Sequence, residues 1–533
     1  MAAIFACALL ASATACKKDD GSGAVFKYNI STNPQSLDPQ TAADRCSDLL
    51  IGNIYLGLFA LNADGSLGEG VAHDYTVSEN GLKYKFYLNE NIYWADGAGY
   101  ESECTADDFV YGFQRLFKPE TRAARASEYF CIANSEAINS GVLTDYSQLG
   151  VKSNGKYELE ITLTTANPRF LEMLADTPAM PCSEEYFIQS KGKYGLSAET
   201  TPSNGAFYVK SWAYDPYTVT DNNNMILRRN AKNADFLNTM PSGLNFFIVK
   251  ESQFVSDYNN SVTSCIAVTD EQAASVSSAG TVKEYRNITS GLIFNRKSAL
   301  LRNTAFRQAL AALVDRRQYA PVLANYGTAK AIVPEDVSLL DMKFREYAGM
   351  NICTKYSVDA AQTLYGTVES RLDKTLLVGA RIIVPDEVSA DVASYINQEW
   401  QRELGFYCTI EQLAENEYNS RLESGDFDIA VIDLTGEYNS PEAYLSAFLR
   451  GSTANYGKYS SSDFESLMKS ASTAADMQAS AELYKQAEQL LIDDAAFVPL
   501  YYKNEYFFTA KDCEDILYNP FTKTISFKDA KAF

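Results

Sequence analysis

The chain has 533 residues, and 46% of them are hydrophobic against 21% charged, which indicates a globular protein of roughly three or four domains rather than a disordered one. Lys and Arg number 46 and Asp and Glu 68, a net charge of −22 that argues against a nucleic-acid-binding role. The single histidine, His73, argues against every triad, metal cage or proton relay that needs two imidazoles.

The first residues read as a targeting signal. Residues 1–15 are apolar and small, too few to span a bilayer, and Cys16 follows them directly before a polar run. An apolar stretch ending at a cysteine resembles a bacterial lipoprotein signal. That resemblance implies a signal peptide over 1–15, a lipidated Cys16 with a tether over 16–24, and a mature chain held outside the cytoplasm on the outer face of the cell membrane. An ordinary secretory signal with an incidental cysteine is the alternative.

Eight cysteines stay in the predicted mature chain, and their spacing leaves their state open. Disulfides and buried free thiols fit the sequence equally well. None of the eight belongs to a C-x-x-C pair, and a zinc site is not expected. We therefore predict no metal and no cofactor. The eight are Cys46, Cys104, Cys131, Cys182, Cys265, Cys353, Cys408 and Cys513.

The predicted elements begin with a strand over 25–31. Short strands and turns alternate from about 66 to 195, with Tyr84, Phe86 and Leu88 on one face of a strand. Apolar spacing then predicts helices over 303–317, from Ser462 onward with a capping box to Glu465, and over 476–493.

The stretch after 375 is the most regular. It predicts strand 375–384, helix 389–404, strand 406–411, helix 417–424 and a buried strand over 427–432. Gly405 and Gly425 suit the C-terminal caps of the two helices. This order predicts a parallel sheet with helices on its faces, and the ligand of such a sheet binds beyond the carboxyl ends of the strands, here after Ile432.

Catalytic motifs are largely missing from the sequence. Residues 150–156 match the spacing of a phosphate-binding loop, but Tyr157 stands where that motif has Ser or Thr. The alternation of apolar and polar residues that follows predicts a strand where the motif needs a helix. No G-x-S-x-G elbow occurs, and no G-x-G-x-x-G precedes a helix. We therefore do not expect an enzyme.

Seven segments, in order along about 25–515, resemble the extracellular solute-binding proteins of the oligopeptide-binding type, which serve ATP-driven (ABC) importers. Each segment is short, but together they keep the order of that family. They are Leu37-Asp38-Pro39, 53–58 (NIYLGL), Trp94-Ala95-Asp96-Gly97 with 105–111 (TADDFVY), 203–207 (SNGAF), Phe294-Asn295 with 306–316, 425–430 (GDFDIA) with 438–441 (YNSP), and 483–501.

The resemblance implies an α/β fold, a two-lobed clamshell like the type II periplasmic binding proteins, with an extra inserted α/β domain. Lobe I would combine 25–65, 200–285 and 495–533. The inserted domain would span 66–199, and lobe II would span 286–494. Hinge closure would bury the ligand between the lobes.

The resemblance also implies a ligand site around the loop after Ile432. Glu437 stands where peptide-binding relatives carry an Asp that pairs with the α-ammonium of the ligand, although a loop acid facing water is the alternative. Val431 replaces an Arg found in some relatives, which leaves the partner of a ligand carboxylate open. The other predicted ligand contacts are backbone bonds at Thr435 and Gly436, side chains Leu434 and Tyr418, the opposite wall Ala43-Asp44-Arg45, and the cleft positions Ser290 and Thr269.

The function implied by the resemblance is capture of oligopeptides and their delivery to a membrane permease. ABC permease and ATPase subunits would be the partners, and we expect a monomer attached through its lipid. Three alternatives stay open: the same fold binding an oligosaccharide or another small solute, a surface hydrolase, and a sensor or folding helper without transport.

Overall fold

The computed structural model describes residues 23–533 except 63–65, 218–222, 278–279, 324, 340–341 and 475. The predicted signal peptide over 1–15 and the lipidation site Cys16 therefore lie outside the described residues. In the part of the chain that is described, no helix combines the length and the apolar character needed to cross a membrane.

A four-stranded sheet, which we call the N-terminal sheet, joins distant parts of the chain. Its first strand, Val25–Ile30, confirms the prediction over 25–31 and pairs in parallel with Gly243–Ile248. Antiparallel strands Asn224–Arg229 and Phe207–Ala213 complete it. Phe26 and Ile30 are buried, so the strand packs its apolar side chains inward.

A second four-stranded sheet, the inserted sheet, lies within the segment 66–199. Its strands run antiparallel in the order Ala72–Val77, Lys83–Leu88, Glu158–Thr162 and Val151–Ser153. The segment 150–156 that resembles a phosphate-binding loop therefore contains strand Val151–Ser153 and is followed by strand Glu158–Thr162, and no helix begins there. The N-terminal and inserted sheets share one continuous apolar core, and we call this body the first lobe.

The third sheet has seven strands, and we call it the large sheet. Val378–Val384 runs parallel to both of its neighbours, which confirms the predicted parallel unit. The remaining pairs are antiparallel, so the sheet is mixed. The strand order is Cys265–Thr269, Phe497–Thr509, Thr281–Phe294, Ile429–Thr435, Val378–Val384 and Tyr407–Gln412, with Gly327–Thr328 also paired to Phe497–Thr509.

Apolar cores cover both faces of the large sheet. Alternate residues of one strand face opposite ways, so Ile382 joins one core and Ile383 the other. Helices close both cores, and we call this body the second lobe. The helices of eight or more residues in the described chain are Arg45–Ile54, Ala106–Phe117, Thr304–Ala312, Val358–Val368, Glu387–Leu404, Glu415–Ser424, Ser462–Ser472 and Met477–Asp493.

Local chemistry explains where helices depart from their predicted bounds. The helix predicted over 303–317 ends at Ala312, because the Asp315 carboxylate accepts from the Arg317 amide and begins a new short helix, Arg316–Tyr319. Ser461 rather than Ser462 caps the next predicted helix, since its hydroxyl accepts from the Phe464 amide.

Two long strands connect the lobes, and we call them the crossing strands. They are Thr281–Phe294 and Phe497–Thr509. Their pairing shifts register between Tyr285 and Ile288, so the crossing strands bend between a part beside Cys265–Thr269 and a part inside the second lobe. The resulting fold is the expected two-lobed α/β architecture.

The eight cysteines in the described residues are all free thiols, and five of them are buried. This favours buried thiols over disulfides, the two alternatives that the sequence leaves open.

Candidate functional site

A cavity of about 860 Å³ opens between the two lobes. Its size falls in the usual range for a pocket that takes a small ligand. The first lobe supplies most of the wall, the loop 437–442 supplies the opposite lip, and a C-terminal segment closes one end. The lining residues fall in the segments 43–62, 69–70, 125–128, 167–180, 236–238, 437–442 and 517–528, together with Ala206 and Ser472.

The helix Arg45–Ile54, which we call the rim helix, forms one wall. The Asp44 carboxylate caps it by accepting from the Ser47 amide at 2.9 Å. Its apolar face, with Leu50 and Ile51, is fully buried in the first lobe. The opposite stripe turns Arg45, Asp48 and Gly52 toward the cavity, as helical spacing of three and four residues requires.

The opposite lip is the loop that follows strand Ile429–Thr435. Gly436 packs so tightly that an added Cβ would lie 2.6 Å from the Tyr444 ring. The Tyr444 hydroxyl in turn donates to the Asn287 carbonyl at 2.6 Å, and Ser338 donates its amide to Asn439 at 2.8 Å. These contacts hold the loop so that Glu437 faces the cavity.

Ion pairs whose side chains are 23–45% exposed line one end of the cavity. Arg125 holds Glu128 at 2.9 Å, contacts Asp176 more closely, and lies 3.9 Å from Asp48. Burial raises the pKa of Asp48 to about 6, and Asp176 adds to that rise by repulsion. This end is therefore a fixed network in which three carboxylates share one guanidinium.

A second guanidinium, on Arg169, joins the two lobes. It lies 3.3 Å from Glu172 within the first lobe and 3.4 Å from Glu442 of the second. Its carbon also stands 3.4 Å from the centre of the Tyr438 ring, a cation–π contact. We call this contact the Arg169 clasp.

Three charged side chains on the cavity wall have no ion-pair partner within the described ranges. They are Arg45, Glu69 and Glu437, and all three are exposed to solvent. Each of the other charged residues of the wall belongs to an ion pair, although several acids share one base. They are Asp48, Arg125, Glu128, Arg169, Glu172, Asp176, Glu442 and Lys528. Charges on a ligand therefore have three groups available to them.

The structure brings three of the predicted contacts together at the cavity, namely Glu437, Arg45 and Ala43. Asp44 caps the rim helix instead of facing the cavity. Thr435 is exposed at the end of its strand, where it pairs with Ile288. The predicted backbone bonds of Thr435 and Gly436 to a ligand stay a prediction.

Four other predicted contacts lie away from the cavity wall. Leu434 and Tyr418 are buried in the core of the second lobe, and the Tyr418 hydroxyl donates to the Val431 carbonyl at 2.5 Å. Ser290 donates to Asp433 on the large sheet. Thr269 is exposed and caps a short helix. Their positions give no support to direct contact with a ligand.

Sequence reasoning missed the wall supplied by 125–128 and 167–180. These residues carry no motif, and tertiary packing brings them to the cavity, where the turn Thr177–Ala179 lies against the rim helix. The charged residues of these segments did not indicate a site, since acidic residues are scattered throughout the chain. In the described chain, no group of three or more His, Cys, Asp or Glu is placed to hold a metal ion.

Two curated bacterial proteins align along nearly the whole chain. The oligopeptide-binding protein OppA of Bacillus subtilis is 24% identical over 527 residues, which is 96% of this chain and 94% of the relative. The probable deoxycholate-binding periplasmic protein YgiS of Escherichia coli is 24% identical over 500 residues, which is 90% of this chain and 88% of the relative.

A solved structure shares the fold. The unliganded open form of MppA, a periplasmic murein tripeptide binding protein, superposes with a TM-score of 0.73 at 20% identity, covering 96% of this chain and 99% of that one. The family model of the bacterial extracellular solute-binding proteins, family 5 (middle region), matches residues 67–456, which is well over half of the chain. The chain therefore belongs to the family 5 bacterial extracellular solute-binding proteins.

Proposed function

We propose that this chain captures peptides between its lobes and delivers them to the permease of an ABC importer. The observation that carries the proposal is Glu437, a carboxylate on the cavity wall with no ion-pair partner among the described residues. A peptide ammonium would supply that partner when the lobes close. The fold and the family support binding and release of an unchanged solute, and the name of the Bacillus relative supports peptides.

The proposal extends to where the protein works. Cys16 would carry the lipid, and the tether to residue 24 would let a monomer reach the permease. ATPase subunits on the other side of the membrane would power the import, because the described fold has no phosphate-binding loop at 150–156. Palmitate labelling of cells that express the wild type and Cys16→Ala tests the anchor, and only the wild type should take up the label.

Peptide binding is tested with Glu437→Gln, which keeps the size and removes the charge. We expect a mixed library of tripeptides to pentapeptides to raise the melting temperature of the wild type, because a ligand of the native state stabilises it. A charged hydrogen bond is worth about 1.5–3 kcal/mol, so the variant should bind roughly tenfold to a hundredfold more weakly.

N-acetylated peptides give the matched control. They lack the ammonium, so they should bind the wild type and Glu437→Gln with similar, weak affinity. If Glu437→Gln binds the free peptides as tightly as the wild type does, Glu437 is not the ammonium partner. If no peptide of the library binds the wild type, the peptide proposal fails.

A second candidate is a small amphipathic solute, and two observations favour it. One aligned relative is named for deoxycholate, and aromatic side chains line this cavity, among them Tyr55, Phe59 and Phe236. Mass spectrometry of ligand retained through gentle purification separates the candidates, because a peptide and a steroid or sugar differ in mass and fragmentation.

A further inference from the structure

A short hairpin near the end of the chain, which we call the C-terminal hairpin, lines one end of the cavity. Its strands, Leu517–Tyr518 and Ile525–Ser526, pair in an antiparallel manner, and the tip between them covers residues 519–524. The side-chain oxygen of Asn519 accepts from the Phe521 amide at 2.9 Å, which fixes the shape of the tip.

The stem of this hairpin belongs to the first lobe. Tyr518 and Ile525 are buried in the core of that lobe, and the Tyr518 ring stacks on Phe507 with the ring centres 4.8 Å apart. The buried Asn53 of the rim helix donates to the Ile525 carbonyl at 2.7 Å and accepts from the Phe527 amide at 3.2 Å. The stem is therefore fixed to the rim helix and to the first lobe.

The tip of the hairpin belongs to the second lobe. Phe521 is 6% exposed and packs in the core of that lobe that also holds Phe497 and Tyr444. Among the described residues after 510, Phe521 is the one that joins a core of the second lobe. At this end of the cavity, the lobes are therefore connected by a packed side chain as well as by the crossing strands.

The hairpin also contacts both crossing strands where they bend. The register shift follows Tyr285, and Asn287 lies within it. The side-chain amide of Asn287 donates to the Pro520 carbonyl at 2.8 Å. On the other crossing strand Glu505, which pairs with Tyr285, accepts from the Tyr518 hydroxyl at 2.6 Å. A hinge rotation of the lobes has to act on this bend, and the hairpin is bonded to both of its strands.

We propose that Phe521 is a positioning residue for closure, because it makes the C-terminal hairpin a further connection between the lobes at the hinge. Rotation about the bend has to pull Phe521 out of the second lobe or bend the hairpin. The anchored hairpin therefore keeps more of the free protein close to the closed arrangement, which raises the apparent affinity for a ligand. The effect on peptides rests on the proposed peptide function, whereas the effect on the free protein does not.

The test compares Phe521→Ala with the matched control Phe448→Ala. Phe448 packs in the same core, with its ring centre 5.7 Å from that of Phe497, but it belongs to the second lobe and does not line the cavity. Both variants should melt at a lower temperature, because each leaves a void in that core. Only Phe521→Ala should increase the radius of gyration without peptide in small-angle scattering. Only this variant should bind tripeptides to pentapeptides roughly fivefold to tenfold more weakly in calorimetry.

Two further variants separate the anchor from direct contact with a ligand, because Phe521 also borders the cavity. Phe521→Leu keeps an apolar side chain in the core, so it should restore most of the radius and the affinity of the wild type. Asn287→Ala removes the bond to Pro520. Asn287 does not line the cavity, so a weaker affinity in this variant cannot come from a lost ligand contact. It should change both measurements in the same direction as Phe521→Ala, and by less.

The outcomes distinguish this inference from the peptide proposal. An unchanged radius in Phe521→Ala overturns the inference, and so does an equal change in Phe448→Ala. If melting curves show that Phe521→Ala does not fold, the radius of Asn287→Ala decides in its place. If no peptide binds the wild type, the peptide function fails, but the radius of the free variants still tests the anchor. If Glu437→Gln weakens peptide binding while Phe521→Ala behaves like Phe448→Ala, only the anchor is wrong.

Discussion

Asp48, on the cavity wall, lowers the free energy of unfolding when its carboxyl is ionised. It lies one helical turn after Arg45, its side chain is 23% exposed, and one of its oxygens is buried without a hydrogen-bond partner. Burial raises its pKa to about 6, against a value near 4 in an unfolded chain. The folded state therefore holds this proton more tightly, and the free energy of unfolding falls as the pH rises from about 4 to 6.

Asp48→Asn should remove this pH-dependent cost. We expect the variant to be more stable than the wild type at pH 7.5, by up to about 3 kcal/mol, and to differ little at pH 4. Urea unfolding at the two pH values measures the difference. Thr177→Val gives the opposite change, because the Thr177 hydroxyl lowers the pKa of Asp48, and its loss should steepen the pH dependence. A constant difference for Asp48→Asn across this range would refute the argument.

At the scale of elements, Gly291 fixes how closely the crossing strands approach. A Cβ at Gly291 would lie 2.3 Å from the Phe497 ring on the neighbouring strand, in the core of the second lobe. Gly366 offers a contrast, because it lies exposed inside helix Val358–Val368 with nothing within 4 Å of an added Cβ.

The two glycines should therefore respond oppositely to alanine. Gly291→Ala should lower the free energy of unfolding by about 1–3 kcal/mol, because the ring and the strand must shift. Gly366→Ala should raise it by about 0.5–1 kcal/mol, because alanine favours a helix. The urea midpoint reports both changes. Equal effects at the two positions would mean that the close contact at Gly291 does not limit the packing.

Elements in which apolar residues recur at a regular spacing were predictable from the sequence, whereas elements that depend on tertiary contacts were not. The helix that ends at Leu404 and the parallel strand Val378–Val384 follow from apolar spacing and Gly405. The crossing strand Thr281–Phe294 escaped prediction because its first residues are exposed on both faces, so they show no alternation. At the site, Glu437 and Arg45 were found through resemblance, whereas Arg125 and Arg169 reach the cavity only through packing.

At the scale of the whole molecule, the Arg169 clasp ties the lobes together beside the loop 437–442. Arg169→Gln removes the cation that meets Tyr438 and Glu442. A cation–π contact is worth about 0.5–2 kcal/mol, so peptides should bind roughly twofold to thirtyfold more weakly. The radius of gyration without peptide should also increase, because the variant loses a contact that holds the two lobes together.

Small-angle scattering and calorimetry on the same samples test this prediction. Glu442→Gln is the milder partner variant, since it removes the ion pair but leaves the contact between Arg169 and the Tyr438 ring. It should give a smaller change in both measurements. If Arg169→Gln leaves both the radius and the affinity unchanged, the clasp does not contribute to closure.

The last part of the chain, from 497 to 527, contributes side chains to all three large cores. Phe507 and Phe527 belong to the core of the first lobe, Val498 and Leu500 to one core of the second, and Phe497 and Phe521 to the other. During synthesis, none of these cores can finish packing until almost the entire polypeptide has left the ribosome. Such a late collapse suits a polypeptide that must thread through a secretion channel as an extended chain, because the emerging portion cannot lock prematurely into a native body.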